Sequence, residues 1–406
     1  MAAKNTQYLP EEICMDILER LPVKSLYRFK AVCKPWKSLV SSPSFIDRQY
    51  DRSAANCSKL AVVEERCSKS KKCSILLHTL NSNPKSPVET TTTELPTNQD
   101  NYYWSCWCRG LLLVKVISIG SAYDLLLWNP STNECKEVPK PVPYSSMVGE
   151  FAIGYDFTIR SHKIVTICRG VPSCFNYQIA VYTCKINSWT FYQSGDFLGI
   201  GMAFINPITL NNGAPHWLVK HYNDDEHWRV NDDDDNVNVN VNDGDDDINY
   251  DSDDFKSFYY TIEYFDFTTN ELMVVPQPDE YAYRAYGLVH PDLYDMEGLL
   301  CIGYYTERGA IVKDVEIWVM IEYGVKESWS RLMKFDVFID NLNIYRFPLC
   351  FTKNDVKVSL VRVWGRKSQR CLALYNGKER RAELRIPNQL WKDVRAFAFV
   401  ESLISV

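Results

Sequence analysis

The sequence predicts a small α-helical module followed by an all-β domain, a propeller of about six blades. Three observations predict it. Residues 9–46 space their apolar side chains as helices do, and after residue 55 the pattern turns to short strands separated by turns. One hairpin-like phrase then recurs at intervals of roughly fifty residues. The helical module is assigned to residues 1–50 and the β-domain to residues 51–406.

Within LPEEICMDILERLPVKSLYRFKAVCKPWKSLVSSPSFI (residues 9–46), Pro10 suits a first helical position, where its missing N–H has no intrahelical partner. Glu11 and Glu12 complement the positive end of the helix dipole. Ile13, Ile17, Leu18 and Leu21 form an apolar stripe. Leu21-Pro22 ends the helix, because the residue before a proline is pushed out of α geometry. A second short helix carries Val23, Leu26, Phe29 and Val32, and Pro35 opens a third with Trp36, Leu39 and Val40. Three helices of about ten residues cannot cover so many large apolar side chains. The surplus must meet another protein, or the module is a cap folded onto the rest of the chain.

These residues resemble an F-box over nearly its whole length: the opening Leu-Pro-Glu-Glu-Ile, the central Leu-Pro-Val-Lys-Ser-Leu, the Arg-Phe-Lys, and the closing Val-Cys-Lys-x-Trp-x-x-Leu. The resemblance implies docking to a Skp-family adaptor, and through it to the cullin and RING subunits of a ubiquitin ligase. It implies an adaptor surface made from Leu9, Pro10, Ile13, Ile17, Leu18, Leu21, Pro22, Val23, Leu26, Phe29, Val32, Cys33 and Trp36.

In the β-domain, residues 59–64 and 74–80 read as strands around a charged loop, and a polar loop follows from Asn81 to Asn101. The recurring phrase occupies residues 125–141, 179–193, 262–278 and 372–384. Each copy has an apolar strand ending in an aromatic, a polar turn, and a second strand. One hairpin per period of about 40 to 50 residues marks propeller blades, with a pair of β-sandwiches as the alternative. Trp128, Trp189, Trp217 and Trp329 are expected to fill wedges between blades, and Gly154, Gly213 and Gly324 to serve turns with positive φ. Closure of the ring predicts pairing between a strand in residues 57–80 and one in 395–406.

The same region resembles the F-box-associated domain of plant F-box proteins, a kelch-like relative. The matching pieces run in order from Trp128-Asn129-Pro130-Ser131-Thr132 through Ala152-Ile153-Gly154-Tyr155-Asp156 and Asn212-Gly213-Ala214-Pro215-His216-Trp217 to Ile317-Trp318-Val319-Met320 and Glu327-Ser328-Trp329. The last run is similar to that of S-locus F-box proteins, which recognise pollen-rejecting ribonucleases. The resemblance implies a non-catalytic substrate receptor whose β-domain holds a protein client, and an S-RNase-like basic protein is one candidate. A scaffold that binds the adaptor without delivering a client, and a propeller enzyme, are the alternatives.

Composition narrows the function classes. The chain has 406 residues, a net charge of −6 and fourteen cysteines. No run of about 18 apolar residues is present, so no membrane span is expected. The opening residues have no apolar signal core, which predicts a cytoplasmic or nuclear protein with free thiols. No GxSxG elbow, Walker loop or HExxH motif occurs, so no catalytic residue is assigned. His216, His221 and His227 lie near many aspartates, but their spacing fits no known ligand set, and no metal or cofactor is expected.

Charge is distributed unevenly. Residues 223–254 hold fourteen acids and one arginine, −13 in all, which leaves +7 elsewhere. Such a block cannot bury enough apolar area to offset ordering entropy and is expected to be disordered. It is either a tolerated insertion or an anionic arm that steers a basic client. Residues 357–395 are rich in lysine and arginine without aromatics interleaved on one face, so nucleic acid is not expected as a partner. A weak clasp between these two segments is the other reading of the pair.

Overall fold

The structure, a computed structural model, describes residues 10–55, 59–67, 73–81, 90–96, 102–117, 123–141, 148–169, 177–193, 203–222, 258–278, 289–296, 298–308, 311–336, 338–339, 344–352, 358–364, 370–376, 379–385 and 394–406. The acidic segment, the glycines around residue 200, Leu9 and His227 lie outside them. So do the side chains of the basic segment from 357 to 395.

The helical module has four helices, where periodicity suggested three: α1 (Glu11–Glu19), α2 (Val23–Phe29), α3 (Lys34–Val40) and α4 (Pro43–Ala55). The fourth is signalled by Ser42-Pro43. Ser42 Oγ accepts the Phe45 N–H at 3.3 Å as an N-cap, and proline fits the first helical position. Because α4 runs to Ala55, it crosses the boundary placed at residue 50. Pro10 and Pro22 sit one residue before their helices, as cap residues in extended geometry.

Six sheets of four or five strands follow. The first blade takes β1 (Lys59–Cys67), β2 (Cys73–Asn81) and β3 (Thr90–Glu94), the last of these inside the stretch expected to be a loop. Its threonines are β-branched, and they pair with β2. The second blade is β4 (Tyr102–Cys108), β5 (Leu111–Ile117), β6 (Tyr123–Asn129) and β7 (Glu134–Val138). The third is β8 (Val148–Asp156), β9 (Ser161–Arg169), β10 (Tyr177–Thr183) and β11 (Ser188–Gln193). The fourth is β12 (Ala203–Thr209), β13 (Pro215–Tyr222), β14 (Phe258–Asp266) and β15 (Glu271–Val275). The fifth is β16 (Val289–Met296), β17 (Leu299–Arg308), β18 (Ile311–Met320) and β19 (Trp329–Asp336). The sixth is β20 (Phe338–Ile339), β21 (Ile344–Thr352), β22 (Val358–Trp364), β23 (Arg370–Asn376) and β24 (Glu379–Arg385). Finally β25 (Val394–Ala398) returns to the first blade and pairs with β1, Leu60 opposite Ala398 and Glu64 opposite Val394. The ring therefore closes through the two segments that the sequence suggested.

The four recurring phrases are the outer hairpins of blades 2, 3, 4 and 6. The turns in blades 2, 3 and 4 share a device. Asn133, Asn187 and Asn270 each adopt a positive φ, at 61°, 54° and 60°, a conformation that asparagine tolerates better than most residues. Trp128 and Trp217 are fully buried between blades. Trp189 and Trp329 donate their indole N–H groups to Pro139 O and Pro276 O, in the segments leaving the preceding blade, at 2.6 and 2.8 Å. Gly213 and Gly324 have positive φ, but Gly154 does not. Gly154 is needed for proximity instead, since a Cβ there would lie 2.6 Å from Gly213 O.

Strands alternate in direction within each sheet, so in blades 2 to 5 the turns after the first and third strands fall on one face of the ring. Contacts between neighbouring blades agree. Tyr155 N donates to Gly213 O at 2.9 Å, joining the first turns of blades 3 and 4. Here this is called the near face, because the helices rest on it.

Candidate functional site

Apart from Leu9, the residues expected to form a docking surface separate into an exposed group, a buried group and a margin between them. Ile13, Ile17 and Val32 stand in solvent, exposed by 47%, 48% and 61%, and Pro10, Pro22 and Cys33 are exposed as well. Ile13 and Ile17 lie four apart on α1 and so share one face. Leu18, Val23 and Leu26 point the other way and form the module's interior with Val40 and Phe45. In this fold these three side chains hold the helices together. Leu21, Phe29 and Trp36 are half-buried at the margin, with the Phe29 and Trp36 rings 5.3 Å apart. Tyr27, 47% exposed, belongs with the exposed group although its position was not singled out from the sequence. A tyrosine between Leu26 and Arg28 gives little signal.

The opposite side of the module meets the near face of the propeller. Arg109, in the first turn of blade 2, reaches Asp51 at 3.1 Å and Asp47 at 3.7 Å on α4. Its guanidinium also lies over the rings of Tyr50, Tyr155 and Phe157. Cation–π stacking and two carboxylates hold this largely buried cation, although its Nε–H makes no hydrogen bond among the described residues. Tyr155 donates its hydroxyl to Asp47 at 3.2 Å, and burial with the Asp47 charge pushes that phenol up to about 12. It stays a donor at any physiological pH. Arg160 approaches Asp47 at 3.6 Å, and these groups line a cleft of about 530 Å³.

A second attachment comes from residues 399–406, which follow β25. Leu403 is buried among Leu18, Val23, Leu26, Val40 and Phe45. Phe399 packs on Trp107 of blade 2, their rings 5.2 Å apart. Neither attachment is visible as a motif, because each joins segments remote in the chain.

Several buried polar groups of the propeller have structural partners, whereas Thr166 Oγ1, His221 Nδ1 and Glu263 Oε2 make no hydrogen bond among the described residues. His216 contacts Ala214 O at 2.9 Å and the Tyr323 hydroxyl at 2.6 Å, and desolvation pushes it down to about 4. His221 contacts Thr261 Oγ1 at 2.7 Å and stacks on Tyr259. The two histidines lie at opposite ends of β13 and so do not form one site. Lys163 and Asp156, both buried, pair at 2.7 Å in the first turn of blade 3. Asp156 also accepts backbone N–H bonds from Thr158 and Ile159, and its carboxyl is held below the usual range by these bonds and Lys163 against the cost of burial. Tyr222 and Phe258, which bracket the acidic segment, end β13 and begin β14 on the far face, away from the helices.

Comparison with known proteins agrees with this architecture. The family description "F-box associated beta propeller domain" matches residues 65–406, and "F-box-like" matches residues 6–52. An F-box protein of Arabidopsis thaliana is 22% identical over 363 residues, covering 87% of this chain and 86% of its own. Another from the same plant is 24% identical over 394 residues, covering 87% and 79%. An Arabidopsis thaliana F-box/kelch-repeat protein is 29% identical over 198 residues, 46% of this chain and 47% of its own. Among solved structures, TolB from Acinetobacter baumannii superposes with a TM-score of 0.45 at 8% identity, covering 84% of this chain and 66% of that one.

Proposed function

The chain belongs to the plant F-box proteins that carry an F-box-associated β-propeller domain, and from that premise we propose that it is the substrate receptor of an SCF-type cullin–RING ubiquitin ligase. One observation carries the proposal: Ile13, Ile17 and Val32 stay in solvent although the module's core is already filled. Isolated exposed apolar residues are ordinary, but several on one small module mark a contact surface. A Skp-family adaptor docks there, bringing the cullin and RING subunits. The chain itself is non-catalytic and supplies proximity, raising the effective concentration of client lysines near the charged transfer enzyme. This work belongs in the cytoplasm or nucleus.

The client binds the far face of the propeller. Helix α4 and residues 399–406 already occupy the near face over blade 2, and the adaptor would crowd it further. The acidic segment joins two strands that end on the far face, which favours a basic protein client of the S-RNase kind.

The test is binding of the purified chain to a plant Skp-family adaptor. Replacing Ile13 and Ile17 together with Asp should abolish binding while leaving the melting temperature nearly unchanged, since both side chains are exposed. Binding that survives the double substitution would overturn the proposal. The same variant, expressed in plant cells, should accumulate the client that the wild-type chain degrades.

A further inference from the structure

We propose that residues 399–406 are an intramolecular splint that fastens the F-box to blade 2, and that Asn129 is the positioning residue that sets it. This gives a function to the Trp-Asn-Pro-Ser-Thr turn at residues 128–132, which is neither adaptor surface nor client face. The inference rests on the receptor reading only for its effect on adaptor binding.

The splint is held at three points. Asn129, fully buried, donates its amide to Ser402 O at 3.0 Å and to Ile404 O at 2.6 Å. Its own Oδ1 accepts the N–H groups of Ser131 and Thr132, so one side chain shapes the turn and grips the splint. Ser131 Oγ receives the Ser402 N–H at 3.1 Å. On the other side the splint passes Gly110 without clearance, since a Cβ there would lie 2.0 Å from Ser402 Cβ. With Ser402 clamped, Leu403 turns into the F-box core beside Leu26 and Phe45.

Chain length makes the clamp effective. Ala398 ends β25 and pairs with Leu60 at the start of β1. From Ala398 to Leu403 is five residues, a span of at most about 18 Å. From Ala55, the end of α4, to Lys59 is four residues, at most about 14 Å. The F-box is thus tied twice to one pair of strands, and the Arg109 contacts to α4 prevent it from swinging between the ties. Adaptor affinity therefore depends on a blade 2 turn that never touches the adaptor, and the client is carried at a fixed orientation to the ligase.

Asn129→Asp separates the two duties of the side chain. It keeps the acceptor that shapes the turn and removes the donor that holds Ser402 and Ile404. Leu403→Ala loosens the other end of the splint, and Val274→Ser, on the exposed outer strand of blade 4, is the control. Amide hydrogen exchange and adaptor Kd are measured on the full chain. In both splint variants the amides of α1 to α4 should exchange on the order of tenfold faster, the scale of losing one or two hydrogen bonds or a packed side chain, while those of β9 and β13 keep wild-type rates. Adaptor Kd should rise on the order of tenfold, because binding must first restore the helices. Wild-type exchange in the helices of both variants overturns the splint. Protection lost equally from the helices and all blades also overturns it, since Asn129 would then merely hold the propeller. Failure of the wild-type chain to bind adaptor would sink the receptor reading alone, and the exchange data would still judge the splint.

Discussion

Strand β6 of blade 2 buries six of its seven residues, whereas α1, with nine, buries only Leu18. Each segment holds three leucines or isoleucines, so those residues alone do not explain the contrast. Their surroundings do. A blade is covered on both faces by the next blades of a closed ring: Trp128 lies in a core between blades 1 and 2, and Trp217 in a separate core that spans blades 2 to 4. The F-box is a small body with a high ratio of surface to volume. It completes its interior by borrowing Leu403 and still leaves Ile13, Ile17 and Val32 outside. Apolar surface in β6 is therefore spent on folding, whereas in the F-box part of it remains in solvent.

The largest test of this contrast is to open the ring. Deleting residues 397–406 removes part of the β1–β25 pairing, the Asn129 grip and Leu403 together. Stability should fall by more than the roughly 5 kcal/mol of the most severe single core truncations. Both domains should lose protection in one cooperative denaturant transition, and an unchanged midpoint would show that the ring does not depend on this closure.

Next comes the division within the F-box. Leu26→Asp buries an unpaired charge in the module's interior and should cost about 3–5 kcal/mol, seen as loss of helical circular dichroism or of exchange protection in α1 to α3. Ile13→Asp, on the exposed face, should cost less than about 0.5 kcal/mol of stability while weakening adaptor binding. Similar losses of stability in the two variants would erase the distinction between core and surface.

Solution pH acts on the propeller and spares the F-box, which has no histidine. Glu263 is buried between blades 3 and 4, bonded through one oxygen to Thr261, and desolvation pushes it up to about 7. Its unfolded value is about 4.3, so between the two the folded state holds a proton that the unfolded state has released. Stability from this group is complete below about 4.3 and falls as pH rises toward 7. Buried His216 works in the opposite sense. It is neutral down to about 4, and its contribution is lost as pH falls from about 6.5 toward that value. Glu263→Gln should raise stability at pH 8 by about 2–4 kcal/mol and remove the decline between pH 5 and 7 in the urea midpoint. A midpoint that declines identically in the variant would assign the pH dependence elsewhere.

The smallest effect on folding is expected from the acidic segment. Its field reaches only about 8 Å at physiological salt. Changing Asp232, Asp233, Asp234, Asp235, Asp245, Asp246 and Asp247 to Asn should leave the melting temperature within experimental error. Association with a basic client should slow at low salt with little change in dissociation. An unchanged on-rate with a confirmed client would make the segment a tolerated insertion.

Local pattern was enough to read a good deal of this protein. Helical spacing and prolines marked the first three helices, and recurring hairpins, centred on asparagine in blades 2 to 4, marked the outer strands of four blades. These features are set by side chains within a few residues of one another, where periodicity and turn chemistry act directly. The closure of β25 on β1 was also legible, because a ring that ends in unpaired edges is unstable. Tertiary structure decided the rest. Leu26 and Ile13 follow the same helical rule, and it is packing against Val40, Phe45 and Leu403, the last arriving from the far end of the sequence, that makes Leu26 core. Asn129 reads as a turn residue, and its grip on Ser402 exists only once blade 2 and the end of β25 have met. Gly154 reads as a turn glycine, yet it is the approach of Gly213 from the next blade that leaves no room for a Cβ. Periodicity tells which way a side chain points from its own helix or strand; what comes to cover it is settled by contacts between segments hundreds of residues apart.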